Sequence, residues 1–479
     1  MRIRVEKMAP EGQGLGREPG GGRPQDLGGG TSSGHPSVGR VLFIPYAAPG
    51  DLLRVSVEKV KKGFGEARIL EVLEPGPHRV EPKCPLHFKA AGTPGRPPCG
   101  GCDWQHLDYA GQLEAKEELL RDCLRRIAKI PDPPVERTAP SPEQWRYRNK
   151  VLIPFQPPAD GSGMPEAGFY APASHRVVGF EDCPVQTELS VRIIRRVREL
   201  SACLGWSAYD EKRHQGWLRH LLVRCGAGER ALLAFVTRTP DFPRKDEALA
   251  ALRADFPELA GLFQCVQPER TSVALGPEWK HLWGEDRLEE RVGELRLRFS
   301  PSAFFQVNTA ASELLFATAA EFATEGCAKL SLLLDLYCGV GPIALWLAAH
   351  AERVVGFEES REAIADAQAN ARLNGIRNAR FIRGRVETSL GRLRKELEGR
   401  PPGSVCAVLD PPRAGCADAV LKAVSGACLG RLVYASCDPA TFARDAGKLL
   451  RLGWKLARAR PHDLFPQTSH VEAVGLFIR

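Results

Sequence analysis

The chain has 479 residues, 43% of them hydrophobic and 26% charged, with a formal net charge of +8. That length suits two to four domains at about 100–200 residues each, and the composition argues against a fibrous or disordered protein. No apolar run of about 18 residues occurs and the N-terminus has no apolar core, so no transmembrane helix or secretory signal is expected and the cytoplasm is the expected compartment. Fourteen cysteines in that compartment point to metal ligands, nucleophiles and small core residues rather than to a disulfide framework. The positive balance suits a polyanionic partner without requiring one.

Residues 1–80 read as short strands, RIRVEKM, RVLFIPY, DLLRVSVEKV and EARILEVLEP, separated by turns such as Ala48-Pro49-Gly50-Asp51. This is the pattern of a small β-barrel. A Gly-, Pro- and Ser-rich stretch, 18–37, reads as a flexible loop insertion. A loop-rich segment with Cys84, Cys99 and Cys102 follows. A helix then runs from DYAGQLEAKEELL through LRDCLRRIAKI until Pro131 and Pro133 stop it. Over 81–300 the pattern mixes strands (RNKVLIPFQ, HLLVRCG, RALLAFVTR) with an amphipathic helix, LSVRIIRRVRELSACL, as in an α+β domain. Over 301–479 a βαβ rhythm predicts a doubly wound, Rossmann-like parallel sheet, closed by a hairpin from GWKLARARPHDLF and HVEAVGLFIR.

The first turn of that sheet reads Asp335-Leu336-Tyr337-Cys338-Gly339-Val340-Gly341. A strand ends in a carboxylate, and two glycines let a ligand approach backbone at a helix start. Glu358 ends the next strand, where a carboxylate takes a ribose diol. The third glycine position of a dinucleotide fingerprint holds Ala344, which does not exclude NAD. The acidic residue before the glycines favours S-adenosylmethionine, and a tight turn without ligand is the bland alternative.

Two loops follow later strands, Leu409-Asp410-Pro411-Pro412-Arg413 and Ser436-Cys437-Asp438-Pro439, and His470-Val471-Glu472 opens the last strand. Each element alone has an ordinary explanation: a small buried cysteine, a turn, a solvated carboxylate. Together they form the kit for methylating carbon 5 of a uracil. That carbon is too weakly nucleophilic to attack a sulfonium. A thiolate added at carbon 6 gives it electron density, and a base must later remove its proton. Cys437 is the candidate nucleophile, Glu472 the base and Asp410 the polarising group. Cys338 lies in the cofactor turn, so packing is its expected role.

These residues identify a resemblance. VEKMAPEGQGLGR, GRVLFIPYAAPGD, SPSAFFQVN, LDLYCGVG, LDPPRAG, YASCDPATFARD and HVEAVGLF resemble the RNA 5-methyluridine methyltransferases, especially the bacterial 23S ribosomal RNA branch with an N-terminal TRAM domain. The resemblance implies a TRAM (OB-like) barrel, a central domain with a four-cysteine cluster and a class I methyltransferase domain. It implies that Cys437 is the nucleophile, Glu472 the base and Asp410 the contact to the uracil edge. It also places Gln306, Asp335, Tyr337, Gly339, Gly341, Glu358 and Asp410 at S-adenosylmethionine, with Arg413 supporting the site. Where the family has Asn or Asp near the adenine, this chain has Arg385.

Cys84, Cys99, Cys102 and Cys183 make a four-thiolate set that composition divides between zinc and iron–sulfur. The resemblance favours [4Fe–4S]. The first gap is longer than is usual in the family, and lengthening a loop costs only about 0.6 kcal/mol per doubling. Radical enzymes also combine cysteines with a TRAM domain, but their C-x3-C-x2-C spacing is absent. RNA contacts are expected from Lys59, Lys61, Lys62 and Phe64, from Arg146, Tyr147, Arg148 and Lys150, and from Arg192, Arg195 and Arg196, since basic residues interleaved with aromatics suit single-stranded RNA. The expected partner is 23S ribosomal RNA, with tRNA as the alternative, and the expected state is a monomer. Competing readings are an exocyclic-amino methyltransferase, whose Pro-Pro is followed by an aromatic where this chain has Arg413, and an inactive RNA-binding assembly factor.

Overall fold

The computed structural model describes residues 1–19, 39–89, 97–158, 161, 163–427 and 429–479. Residues 20–37 of the expected loop insertion 18–37, and residues 90–96 of the Cys84–Cys99 gap, lie outside the described residues.

Alternation builds the N-terminal barrel. In β1 (Arg2–Met8) Ile3 and Val5 point inward while Arg2 and Arg4 face water. With β2 (Gly14–Arg17), β3 (Val41–Ile44), β4 (Leu52–Lys61) and β5 (Phe64–Glu74) it closes in the order β1-β2-β3-β5-β4. Leu42, Ile44, Leu53, Val55 and Ile69 complete the core, and closure leaves no free strand edge. The short strand β2 was not foreseen, because Gly14 and Gly16 supply no side chains for a pattern to show.

Helix α1 (Tyr109–Cys123) starts where the Asp108 carboxylate accepts from the Gly111 N–H at 2.7 Å, and it runs into a π-helical turn, Leu124–Ala128. The central sheet contains β6 (Lys150–Gln156), β7 (Glu166–Tyr170), β8 (Val177–Gly179), β9 (Leu218–Gly226), β10 (Arg230–Thr237), β11 (Leu259–Val266) and β12 (Glu278–Gly284). Their order is β12-β11-β10-β9-β6-β7-β8. Helix α2 (Glu188–Cys203) lays Leu189, Ile193, Val197 and Leu200 into the core beneath this sheet, and α3 (Lys245–Asp255) makes the crossover between the parallel pair β10 and β11.

A hairpin of β13 (Leu288–Val292) and β14 (Leu295–Phe299) buries Val292, Leu297 and Phe299 in the core of the C-terminal sheet, beside α4 (Thr309–Thr324). That sheet has β15 (Leu332–Leu336), β16 (Val354–Glu358), β17 (Ala379–Arg383), β18 (Val405–Leu409), β19 (Arg431–Ser436), β20 (Lys455–His462) and β21 (Glu472–Ile478). The order β17-β16-β15-β18-β19-β21-β20 reverses direction between β15 and β18, the switch point where such sheets bind ligands at their C-terminal strand ends. The connecting helices are α5 (Pro342–Trp346), α6 (Arg361–Leu373), α7 (Leu390–Leu397), α8 (Asp418–Gly426) and α9 (Pro439–Arg451). Strands β15 and β18 are buried at every position, as expected for parallel strands covered on both faces. The expected closing hairpin is the antiparallel pair β20–β21.

Loop 463–471, which leads into β21, is held from all sides. Lys116 of α1 donates to Asp463 Oδ1 at 2.5 Å and to the Phe465 carbonyl at 3.2 Å. Asn308 donates to the Leu464 carbonyl at 3.2 Å and Tyr147 to the Pro466 carbonyl at 3.0 Å. Gln112 donates to Gln467 Oε1 at 3.1 Å, and the Ser469 N–H donates to Asp103 at 2.9 Å. Trp104 in turn donates to the carbonyl of Gly12 in the barrel at 3.0 Å.

Candidate active site

The cofactor turn follows β15. Asp335 is buried, and its Oδ2 accepts from the Ala344 N–H at 2.9 Å, bracing the start of α5. Burial, then the charge of Asp410, pushes Asp335 up to about 8. Tyr337 takes a left-handed φ of +70° and donates its hydroxyl to Glu387 at 2.8 Å. Gly341 has φ +87°, and a Cβ there would stand 3.0 Å from the Phe381 ring, so only glycine fits. Gly339 has φ +53° with open space where a Cβ would point, and its N–H donates to Glu358 Oε2 at 3.2 Å. Gln306 lies in the loop before α4, which is tied to α6 through Ser302 and Glu362 at 3.2 Å. Asp335, Tyr337, Gly339, Gly341 and Glu358 therefore gather at the ends of β15 and β16 beside the switch point, and Gln306 is buried in the loop before α4. Cys338 is buried in the core, as expected of a packing residue. Arg385 is exposed and ion-paired with Glu359 at 2.8 Å.

The second cluster follows from sheet register. Ser436 at the end of β19 pairs with Ala473 of β21, so the next residue on one strand, Cys437, meets the previous one on the other, Glu472. Leu409 pairs with both Leu336 and Tyr434, which puts Asp410 between the cofactor turn and Cys437. Cys437 is partly exposed and Glu472 is buried. Burial, then Glu472 and Asp410, pushes the Cys437 thiol up to about 12, while Arg413 pulls it down. Burial, then Asp410, pushes Glu472 up to about 8, again opposed by Arg413. Burial pushes Asp410 up to about 6. The site thus brings together a thiol, buried carboxyls held above their usual range, and one guanidinium.

Asp445, which the sequence reading missed, anchors the Asp410–Cys416 loop. It is fully buried and accepts from the Tyr434 hydroxyl at 2.8 Å and the Cys416 N–H at 2.9 Å. Only its place in the motif ARD, eight residues after Cys437, hinted at it.

Cys84, Cys99, Cys102 and Cys183 line one cavity with His87, Gln105 and Arg148. The long Cys84–Cys99 gap closes on itself, because the Cys99 N–H donates to the Leu86 carbonyl at 2.8 Å. Burial pushes the Cys183 thiol up to about 12, and Cys99 and Cys84 add to the rise. Among the described residues, no group of three or more His, Cys, Asp and Glu side chains stands close enough to hold a metal ion. The thiols converge on one cavity without being drawn to ligand distances.

Two expected RNA contacts are corrected. Tyr147 is buried with its hydroxyl on Pro466, so it presents no ring to RNA. Lys150 reaches the Ala303 carbonyl at 3.4 Å, and burial lowers it to about 7. Arg146, Arg192, Arg195 and Arg196 each pair with a carboxylate. Lys59 and Lys61 share Glu66, and Lys61 also stands 5.1 Å over the Phe64 ring. Among the described residues, no helix is long and apolar enough to cross a membrane.

Comparison with known proteins adds the following. A family model described as tRNA (Uracil-5-)-methyltransferase matches residues 280–479, and a TRAM domain model matches residues 1–70. The chain is 38% identical over 440 residues to an uncharacterized RNA methyltransferase of Halalkalibacterium halodurans, covering 91% of this chain and 92% of that protein. It is 39% identical over 443 residues to another from Gloeobacter violaceus, covering 92% of each. Among solved structures it resembles Pyrococcus abyssi tRNA (uracil-54, C5)-methyltransferase in complex with S-adenosyl-L-homocysteine, with a TM-score of 0.72, 25% identity and full coverage of both chains.

Proposed function

The chain belongs to the TRAM-bearing, S-adenosylmethionine-dependent RNA (uracil-5-)-methyltransferases, and we propose that it methylates one specific uridine through a covalent adduct at Cys437. The observation that carries this reading is the register that sets Cys437 against Glu472, with Asp410 and Arg413 acting on both. S-adenosylmethionine supplies the methyl group. Cys437, partly exposed, gives its thiol proton to solvent, and its Sγ bonds to carbon 6 of the uracil; the electron pair moved onto carbon 5 takes the methyl as the methyl–sulfonium bond breaks and S-adenosylhomocysteine leaves. Glu472 then removes the carbon 5 hydrogen as a proton. The electron pair left behind restores the 5,6 double bond as the Cys437–carbon 6 bond breaks. Asp410 holds the uracil edge. Gln306, Asp335, Tyr337, Gly339, Gly341 and Glu358 position the methyl donor, together with Asp410. Arg413 offsets the negative charge around Cys437.

In this reading the chain divides into a barrel over 1–80, a central domain over 81–300 and a methyltransferase domain over 301–479, and it acts as a cytoplasmic monomer. The substrate is 23S ribosomal RNA. The second reading is tRNA, favoured by the resemblance to the Pyrococcus abyssi enzyme. Mapping 5-methyluridine in ribosomal and transfer RNA with and without the gene decides between them. Loss from neither RNA, or an N-methylated base in its place, contradicts the reading.

Cys84, Cys99, Cys102 and Cys183 are proposed to hold a [4Fe–4S] cluster, with zinc as the alternative. All four share one cavity, and the four-thiolate donor set suits either. Protein purified without oxygen is expected to be brown, with about four irons per chain. Colourless protein with one zinc per chain would select the alternative.

A further inference from the structure

We propose that a cavity between β6, β7 and the start of β9 is a second nucleobase pocket, which takes an unstacked base of the RNA away from the methylation site. The inference rests on the RNA-methyltransferase reading above. The cavity is about 310 Å³ and is walled in part by Phe169, Tyr170, His175, Tyr209, Arg219 and His220. That volume is at the low end for small-ligand sites, roughly one base with its sugar.

Its shape comes from a β-bulge. Val236 of β10 pairs with His220 of β9, but the next residue, Thr237, pairs with Leu218, so Arg219 is an extra residue. In a regular strand Arg219 and His220 would point to opposite faces. The bulge re-aims one of them, and both line the same cavity. The Arg219 guanidinium lies 4.3 Å from the Tyr209 ring centre, and it donates to the carbonyls of Gln267 at 2.7 Å and Glu269 at 2.6 Å. Arg219 Nε and His220 Nδ1 are buried and have no hydrogen-bond partner among the described residues. Burial lowers His220 to about 4, so at neutral pH its ring is uncharged. Tyr170 stands at the mouth, 39% exposed.

Aromatic faces beside unpaired polar atoms suit a base better than a phosphate. Arg219 is already committed to backbone carbonyls, and Glu211, paired with His175 at 2.9 Å, places a carboxylate in the wall. The pocket adjoins the cysteine cavity. Phe169 lines both this cavity and the cysteine cavity.

The test uses the full chain and four fluorescein-labelled RNA hexamers, rA6, rG6, rC6 and rU6, with affinity read by anisotropy. At least one hexamer is expected to bind wild type about 10-fold more tightly than it binds Tyr170→Ala. Tyr170→Phe, which keeps the ring, is expected to bind that hexamer like wild type. The pocket is overturned if no hexamer binds wild type, if Tyr170→Ala binds all four as tightly as wild type does, or if Tyr170→Phe is as weak as Tyr170→Ala. Methylation by wild type is read separately, so a failed pocket and a failed methyltransferase reading give different results.

Discussion

Burial alone would make Cys437 an inert thiol, and the two carboxyls beside it push in the same direction. Of these, Glu472 acts more strongly on the thiol than Asp410. Glu472→Gln keeps the shape of the side chain and removes its charge. The thiol of that variant is therefore more acidic and still attacks carbon 6, but no base remains to take the carbon 5 proton. Single-turnover reactions of Glu472→Gln are expected to accumulate methylated protein–RNA adduct, and normal turnover would remove Glu472 from the base role. The raised pKa of Glu472 also has a thermal consequence. Glu472 is held at about 8 in the fold, against roughly 4.3 in an unfolded chain. Between those values the unfolded chain gives up a proton that the fold retains, so this group lowers stability as pH rises, and the cost is complete above about 8. Glu472→Gln should therefore melt about 2–4 °C higher than wild type at pH 8.5, with a smaller difference at pH 5. An equal difference at both pH values would contradict the assigned environment.

At the level of elements, β19 and β21 give the site its register, and loop 463–471 fixes where β21 begins. Lys116 and Asp463 carry much of that burden, since both side chains are fully buried. Removing one partner of a buried pair costs about 3–5 kcal/mol, whereas replacing both with apolar side chains of similar volume is often neutral. Lys116→Ala is expected to destabilise the protein by that amount in denaturant titration and to cut turnover, while Lys116→Met with Asp463→Leu recovers most of the stability. If Lys116→Ala melts like wild type, the loop is held by its other bonds. None of this was legible in the sequence. The strands around the loop announced themselves by composition, because VCAVL and RLVYAS have few ways to fold except as buried strands. Lys116 and Asp463 are separated by 347 positions, and nothing local marks either as buried. Strand β2 stayed hidden for the opposite reason, having too few side chains to form a pattern. The residues proposed for the chemistry were easier to pick out, since Cys437, Asp410 and Glu472 each follow or open a strand of one sheet.

Across the whole molecule, the barrel, α1 and the C-terminal sheet meet around the loop that delivers Glu472. Trp104 holds Gly12 of the barrel and Gln112 holds Gln467. The barrel and the candidate site are thus joined by hydrogen bonds, which suits the proposed extrusion of a uridine from folded RNA at a cost of a few kcal/mol. The net charge of +8 does not by itself mark a phosphate-binding face. Most of the arginines expected to contact RNA are paired with carboxylates, and Tyr147 is a structural bolt. Sequence order shows where charges lie along the chain but not which carboxylate folds back onto them. The central claim is the covalent step at Cys437. It is tested most directly with RNA carrying 5-fluorouridine at the target position, where fluorine on carbon 5 prevents release of the thiol after methyl transfer. Wild type with S-adenosylmethionine is expected to give a denaturation-resistant protein–RNA band whose cross-linked peptide contains Cys437, and Cys437→Ala is expected to give none. A wild type that methylates the ordinary RNA but leaves no such band, or a Cys437→Ala variant that forms it equally well, would contradict the account.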